Sequence, residues 1–309
     1  MSLVAEPVGL LTDRDGLIRK FGSSGILAAG GGGGGVSYLL DDHPTDIYAG
    51  YSVRKLSSTY VGSCLRIRED GGDTEIDIGF DGDWVDDAAI AAHCGANNGY
   101  VVKWYDQSGN SRDVSHTTAA AQPLIYNGTS VLTASNGKPL VRFDGVDDNL
   151  YFSDPNAGAN DHSDYMAVNN VTWQSGYRTF VGGGDFGAGQ NFIIATGGSS
   201  SNVAIRIYFQ GTVRSYSTGD PENTEWLFSM RRDYSAATVQ FIVNNSTEQN
   251  WTSVGTAGIH EGVGLGRRFN YGGTYLTMDM QEFIRWHSNH SDEDDTAIRG
   301  NMNTALAYH

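Results

Sequence analysis

From Ile47 onward the chain alternates short apolar-rich runs with polar turns. Tyr51-Ser-Val-Arg-Lys-Leu and Cys64-Leu-Arg-Ile-Arg alternate apolar and polar residues, the period of a strand buried on one face. Asp77-Ile-Gly-Phe closes a third short strand, and Tyr100-Val-Val-Lys-Trp-Tyr is a β-branched and aromatic core strand. Further runs at 140–143, 165–171, 178–181, 192–195, 204–209, 225–231, 238–243, 262–265 and 278–286 are separated by clusters of Gly, Asn, Asp and Ser. This rhythm of many short strands predicts an all-β sandwich. Two helices interrupt it. One is expected over Val85–His93 with Asp83 as its N-cap. The other begins after Ser291, whose hydroxyl caps it while acidic residues fill its first turn and complement the helix dipole. No repeat of solenoid or propeller period is present.

The first residues follow a different pattern. An amphipathic segment over Leu10–Phe21 predicts a brief helix or strand, and an unbroken glycine run follows from Gly30 to Gly35. Glycine loses more backbone entropy on ordering than any other residue, so the run reads as a flexible hinge. The alternative is an extended stretch packed where several chains meet and only glycine fits. Either way the chain divides into an N-terminal arm, residues 1–45, and a body, residues 46–309.

Composition sharpens this picture. Of 309 residues, 39% are hydrophobic and only 18% charged, with 41 Gly, 6 Trp and 16 Tyr, which suits a turn-rich β protein with ample aromatic surface for a core. Lys and Arg number 20 against 36 Asp and Glu, a formal net charge of −16 that disfavours a general nucleic-acid binder. The short basic clusters Arg66-Ile-Arg68, Arg231-Arg232 and Arg267-Arg268 are expected on solvated strand faces or turns. Two cysteines, Cys64 and Cys94, are too few for a disulfide scaffold and are expected free and buried. The N-terminus lacks the pattern of a secretory signal and no apolar run has the length of a membrane span, so synthesis in a cytosol is expected.

Three stretches carry a resemblance. Residues 51–113 contain Asp77-Ile-Gly-Phe and end in Trp104-Tyr-Asp-Gln-Ser-Gly-Asn110. Leu140-Val-Arg-Phe-Asp-Gly-Val-Asp-Asp-Asn-Leu resembles the turn that opens the core of laminin-G-like domains. Met280-Gln-Glu-Phe-Ile-Arg-Trp, followed by Ser291-Asp-Glu-Asp and a helix, resembles their final strand and helix. The resemblance implies a two-sheet concanavalin/laminin-G-like jelly-roll sandwich with a C-terminal helix. The first stretch is similar both to arabinofuranosidase B catalytic domains and to laminin-G-like proteins of tailed phages, the phage pattern matching better. That resemblance implies a structural virion protein: a fibre, knob or capsid-surface appendage located in the virion and displaying the sandwich to host-surface glycans. It would form a homo-oligomer, a trimer by expectation, and contact other virion proteins through residues 1–45. A carbohydrate-binding module without a virion role and an arabinofuranosidase-like hydrolase are the alternatives.

Glycoside hydrolysis needs two carboxylates flanking the scissile bond. At the positions where the resembling enzymes carry them, this chain has Gln210 and Arg268, and the vicinal cysteine pair of those enzymes is absent, so no catalytic residue is expected. Asp106, within Ser-Gly-Asn turn sequence, reads as a structural Asx turn. His287 and His290 read as surface histidines. Among the acidic clusters at Asp81, Asp83, Asp86 and Asp87 and at Asp144, Asp147 and Asp148, Asp144 and Asp148 are the candidates for Ca²⁺, the single cofactor considered. Sugar sites combine aromatic faces with polar hydrogen bonds, and Trp173, Tyr177, Trp251, Tyr271 and Tyr275 are the aromatic candidates, with strand packing as the alternative for each.

Overall fold

The computed structural model describes residues 10–12, 18–20, 37–153, 161–172, 176–183, 192–199, 202–209, 212–217, 225–244, 246–254, 262–268 and 273–308. The chain forms two compact units, residues 1–35 and 36–309. In the first, β1 (Leu10–Thr12) pairs antiparallel with β2 (Ile18–Lys20), so the amphipathic segment is a hairpin of strands and not a helix. The Gly30–Gly35 run lies outside the described residues.

The elements of the second unit follow in chain order. They are α1 (Leu39–Asp42), β3 (Ile47–Ser52), β4 (Leu65–Glu69), β5 (Glu75–Ile78), β6 (Phe80–Asp81), β7 (Trp84–Val85), α2 (Asp87–Cys94), β8 (Asn98–Trp104), β9 (Val114–Ser115), β10 (Leu124–Asn127), β11 (Val141–Asp144) and β12 (Leu150–Ser153). Then come β13 (His162–Asn169), β14 (Arg178–Gly183), β15 (Phe192–Ser199), β16 (Asn202–Phe209), β17 (Thr212–Ser217), β18 (Trp226–Asp233), β19 (Thr238–Val243), β20 (Gln249–Trp251), β21 (Gly262–Leu265), β22 (Thr277–Trp286) and α3 (Asp292–Leu306).

Every pairing among these strands is antiparallel. In sheet 1, β22 pairs with β13 along one edge and with β11 and then β3 along the other, and β13 continues through β18 and β19 to β20. Sheet 2 runs β9–β12–β21–β14–β15–β16–β17. A smaller layer, β10–β8–β4–β5, joins the two through β8–β9 and β10–β11. Together they make the jelly-roll sandwich expected from the strand rhythm.

Strand alternation sends one set of side chains between the sheets. Phe180 and Val181 of β14, Ile194 of β15 and Ile207 of β16 meet Phe228, Met230 and Phe241 of sheet 1 in one cluster, with Phe180 edge-on to Phe228 at 5.4 Å. The opposite face of sheet 1 is also apolar. Tyr165, Ala167, Leu227, Ile284 and Trp286 pack against Ile298, Met302 and Leu306 of α3 and against Leu39 and Leu40 of α1. That explains why β22 is buried along nearly its whole length. The capping box anticipated at Ser291 is present, its hydroxyl accepting from the Asp294 N–H at 3.1 Å while the Asp294 carboxylate reaches back.

Charge is carried inside the sandwich in closed pairs. Arg285 and Asp164 are register partners on β22 and β13, both 2% exposed, bonded Nε–Oδ1 at 2.6 Å and Nη2–Oδ2 at 2.7 Å. Glu282 of β22 accepts from Arg54 at 2.7 and 2.9 Å and from Ser52 Oγ at 2.6 Å. Burial lifts the Asp164 carboxyl above its ordinary value, against the pull of Arg285.

Two expectations are corrected. Helix α2 starts at Asp87 with Asp86 as its cap, the carboxylate accepting from Ala89 N–H at 2.8 Å; Asp83 instead takes the Tyr38 hydroxyl, because Trp84–Val85 pairs as a strand with Phe80–Asp81. The basic clusters are solvated only in part: Arg68, Arg231, Arg232 and Arg268 are buried, whereas Arg66 and Arg267 keep partial exposure. Arg231 is neutralised by Glu248, Asp292 and Asp295, and burial lowers the Arg232 guanidinium to about 10. The two cysteines are free and buried, as expected.

Truncating one member of a buried pair strands the other charge, at a cost of about 3–5 kcal/mol. Urea denaturation of Asp164→Ala is expected to show that loss. The double variant Asp164→Leu/Arg285→Met, which leaves no orphan charge, is expected to recover most of it.

Candidate functional site

Since α1 and α3 cover the outer face of sheet 1, the outer face of sheet 2 is where, among the described residues, strand side chains are directed without a helix above them. Register places its residues. Leu150, Leu265, Val181, Ile194 and Ile207 point into the core, so their strand neighbours point outward. One outward row runs Tyr151–Gly264–Gly182. A second runs Arg206–Ala195–Thr179. The floor of glycine, alanine and threonine is buried, whereas Tyr151, Arg206, Arg267, Tyr275 and Tyr177 around it keep some exposure. Glycines side by side in adjacent strands let another backbone or a ligand come close.

Two tyrosines on this rim share one arrangement. Tyr177, 44% exposed, accepts a hydrogen bond from Arg206 Nη1 at 3.0 Å, lies 5.3 Å beneath that guanidinium and packs edge-on to Tyr208 at 5.4 Å. Burial pushes the Tyr208 hydroxyl up. Tyr275 accepts from Arg267 Nη1 at 3.1 Å, with the guanidinium 5.6 Å from its ring centre. The two segments are tied together, since Arg178 Nη1 donates to Gly273 O at 2.7 Å and Thr179 N–H to Thr274 O at 2.8 Å. Arg267 also bears on His116, which packs edge-on to Tyr151 at 5.6 Å; burial, assisted by Arg267, holds that imidazole below its ordinary value.

Of the aromatic candidates, the fold therefore brings Tyr177 and Tyr275 to one rim. Trp251, on β20, stacks on Phe241 at 5.9 Å against the core and is not part of that rim. Trp173 and Tyr271 lie outside the described residues, as does Gln210. Arg268 is 0% exposed, its N–H bonded to Thr274 Oγ1 at 3.2 Å. Sequence reasoning missed Arg206, Tyr208, Arg267, Tyr151 and His116. The outward alternation Arg206-Ile207-Tyr208 was the available signal.

The polar motifs elsewhere close turns. The Asp106 carboxylate accepts from the N–H groups of Gly50, Ser108 and Arg112 at 2.9, 2.9 and 3.0 Å and from Ser108 Oγ at 2.7 Å. Gln107 accepts from Leu56 N–H and donates to Ser52 O and Arg54 O. His287 and His290 are half-buried packing groups, a correction to the surface placement expected for them. His287 stacks on Tyr48 at 4.2 Å, and His290 lies 5.0 Å from Trp286 and 3.0 Å from the Tyr165 hydroxyl, burial lowering it to about 4.

The calcium candidates Asp144 and Asp148 stand with Asp147, oxygens of all three lying within 4.8 Å of one another. Asp144 Oδ1 accepts from Val146 N–H at 2.7 Å and, at greater length, from those of Asp147 and Asp148; Asp148 Oδ2 accepts from Asp144 N–H at 2.9 Å. Burial, with its two acidic neighbours adding, raises Asp148 to about 8. The same hydrogen bonds close the turn on its own backbone N–H groups.

No protein-family model matches the chain, and no curated protein matches it by sequence. Solved structures match its fold. A GH54 α-L-arabinofuranosidase soaked with a cyclic sulfate inhibitor superposes with a TM-score of 0.67 at 14% identity, covering 87% of this chain and 64% of that one. An arabinofuranosidase complexed with arabinofuranosyl-α-1,2-xylobiose gives the same values. A Glu→Gln mutant of the GH54 enzyme soaked with 4-nitrophenyl α-L-arabinofuranoside gives 0.66 at 16% identity over the same shares. This chain thus spans 64% of the length of these neighbours and shares their sandwich fold.

Asp148 gives a signed pH test. Between its ordinary value of 3.8 and about 8, the folded state holds a proton that the unfolded state has released, so stability falls as pH rises through that window. His290, held at about 4 against an ordinary 6.5, acts oppositely, stability falling as pH drops from 6.5 towards 4. Asp148→Asn is expected to flatten the loss between pH 4 and 8, with a gain at pH 8 on the order of 1–3 kcal/mol in denaturant titrations. Calcium ligation would require ionised Asp148, so added calcium erasing the window in the parent would instead establish the cation site.

Proposed function

We propose that this chain is a non-catalytic, glycan-binding sandwich displayed on the virion of a tailed phage for attachment to the host surface. The observation that carries the sugar part is the rim of sheet 2: partly exposed tyrosines braced by arginines, on a fold shared with arabinofuranosidases. Tyrosine offers an apolar ring with a polar tip, the combination that sugar recognition uses. The non-catalytic part is supported by the groups that accompany those rings. Hydrolysis calls for a carboxylate pair across the scissile bond, whereas the charged groups against Tyr177 and Tyr275 are guanidiniums, and Arg268 is sealed from any ligand.

The virion part rests on the phage-type motifs of residues 51–113 and on the separate unit at residues 1–35, which suits an anchor to other virion proteins in a homo-oligomeric, by expectation trimeric, appendage. A hydrolase remains the second reading, favoured by the structural neighbours alone.

The full chain is expected to bind glycans on an array of host-surface polysaccharides and to release neither 4-nitrophenol from 4-nitrophenyl α-L-arabinofuranoside nor reducing sugar from arabinan. Tyr177→Ala and Tyr275→Ala should each weaken glycan binding by about tenfold at unchanged melting temperature. Turnover lost on replacing a named Asp or Glu would install the hydrolase reading. Deleting residues 1–35 is expected to leave a folded body that no longer enters particles, and normal incorporation of the deletion would refute the anchor.

A further inference from the structure

We propose that the ligand of this rim is an acidic polysaccharide whose carboxylates bridge Arg206 and Arg267. The inference rests on the glycan-binding reading and adds the chemical class of the sugar. Its basis is how these two arginines are satisfied. Arg54, Arg142, Arg231 and Arg285 are all held against carboxylates. With 36 acidic residues to 20 basic ones, a carboxylate is the abundant partner in this chain. Among the described residues, Arg206 and Arg267 have none within ion-pair distance and donate to tyrosine hydroxyls instead. The Nε of each is buried without a hydrogen-bond partner.

Such a guanidinium is half-desolvated, oriented by its tyrosine and uncompensated. With Nε buried, it is the Nη1/Nη2 edge of each guanidinium that a ligand acceptor can approach, and there it would supply the counter-charge that the protein does not. A carboxylate matches the planar fork of arginine with two parallel hydrogen bonds, which a neutral sugar hydroxyl cannot do. Bracing by the tyrosine ring orients each fork before ligand arrives, so little side-chain freedom is lost on binding.

The spacing selects a polymer. Arg206, Ala195 and Thr179 are successive cross-strand partners, and Thr179 bonds in turn to Thr274, beside Tyr275 and its Arg267. Three strand-to-strand intervals of about 4.8 Å put the Arg206 backbone roughly 14 Å from that of Thr274, one residue from Tyr275. A single sugar ring does not reach both, whereas successive acidic residues of one chain do. The net charge of −16 opposes approach of a polyanion, so binding of one reports these local arginines and not bulk attraction.

The test is affinity electrophoresis of the full-length protein through gels containing polygalacturonate, alginate, hyaluronate or polysialate, and through gels containing neutral arabinan or dextran. Retardation by at least one carboxylate polymer and weaker binding to the neutral ones is expected. Arg206→Gln and Arg267→Gln should each weaken the acidic interaction by about tenfold or more. Arg206→Lys, which keeps charge but loses the fork, should fall between. Arg214→Gln, whose register partner Ile207 faces the core, should match the parent. Melting temperatures of the variants separate binding loss from misfolding. If neutral polymers bind as tightly as acidic ones and the glutamine variants behave as the parent, the acidic-sugar inference is wrong and the glycan reading stands. If no polymer of either kind retards the protein, both fall.

Discussion

The sandwich is organised around the requirement that β22 bury full charges in its middle. Arg285 and Glu282 stand on that strand wholly out of water, and each finds its counter-charge on a different neighbour: Asp164 on β13 for the first, Arg54 just beyond β3 for the second. Each pair closes only when its own neighbouring strand is in register. Because a one-residue slip would turn every side chain of a strand to the other face, these two bidentate contacts specify the pairing of β22 with both flanks. Their net contribution to stability is small or negative relative to apolar replacements, so their effect lies in penalising misregistered pairings that leave a charge alone.

That register has consequences on both faces of sheet 1. With Met278, Met280 and Phe283 turned inward, Ile284 and Trp286 emerge on the outside, where α3 and α1 cover them. Trp286 also donates from its indole to His43 O at 3.1 Å, joining the covering layer to the strand. Sheet 1 is thus buried on both sides. Sheet 2 faces the core with Phe180, Val181, Ile194 and Ile207, and its outer side is left for polar and aromatic groups. The difference between the two outer faces follows from which sheet the C-terminal helix covers.

Much of this was legible in the chain. Alternation located the longer strands but not β6, β7, β9, β10, β12, β17 or β20, and the start of α3 was readable because the Ser291 cap and the acidic first turn are local signals. Asp106 was identified as a turn residue because an Asx turn needs only its own neighbours. The errors share a cause, dependence on distant partners. Asp83 and Asp86 are equivalent by local capping logic, and what separates them is the pairing of Trp84–Val85 with β6. Arg231 looked like a surface cation because Glu248 and Asp292 lie far along the chain. The β17 strand was overlooked because Thr212–Ser217 carries little apolar signal at an edge. At the candidate site, Tyr177 and Tyr275 were recognisable as aromatic candidates. Their bracing by Arg206 and Arg267 was not, because it depends on tertiary contacts that no local pattern encodes.

The motifs that make this chain resemble other sandwiches are those whose hydrogen-bonding capacity is consumed internally. Asp106 and Gln107 meet backbone groups of β3 and its following loop, Asp144 meets the N–H groups of its own turn, and Ser291 meets the first turn of α3. Groups so occupied hold the fold, so a family likeness built on them speaks to architecture alone. Recognition has to come from side chains whose donors are not all matched within the protein. Arg206 and Arg267, held against tyrosine hydroxyls on a face that no described helix covers, are the groups to which the proposed reading turns.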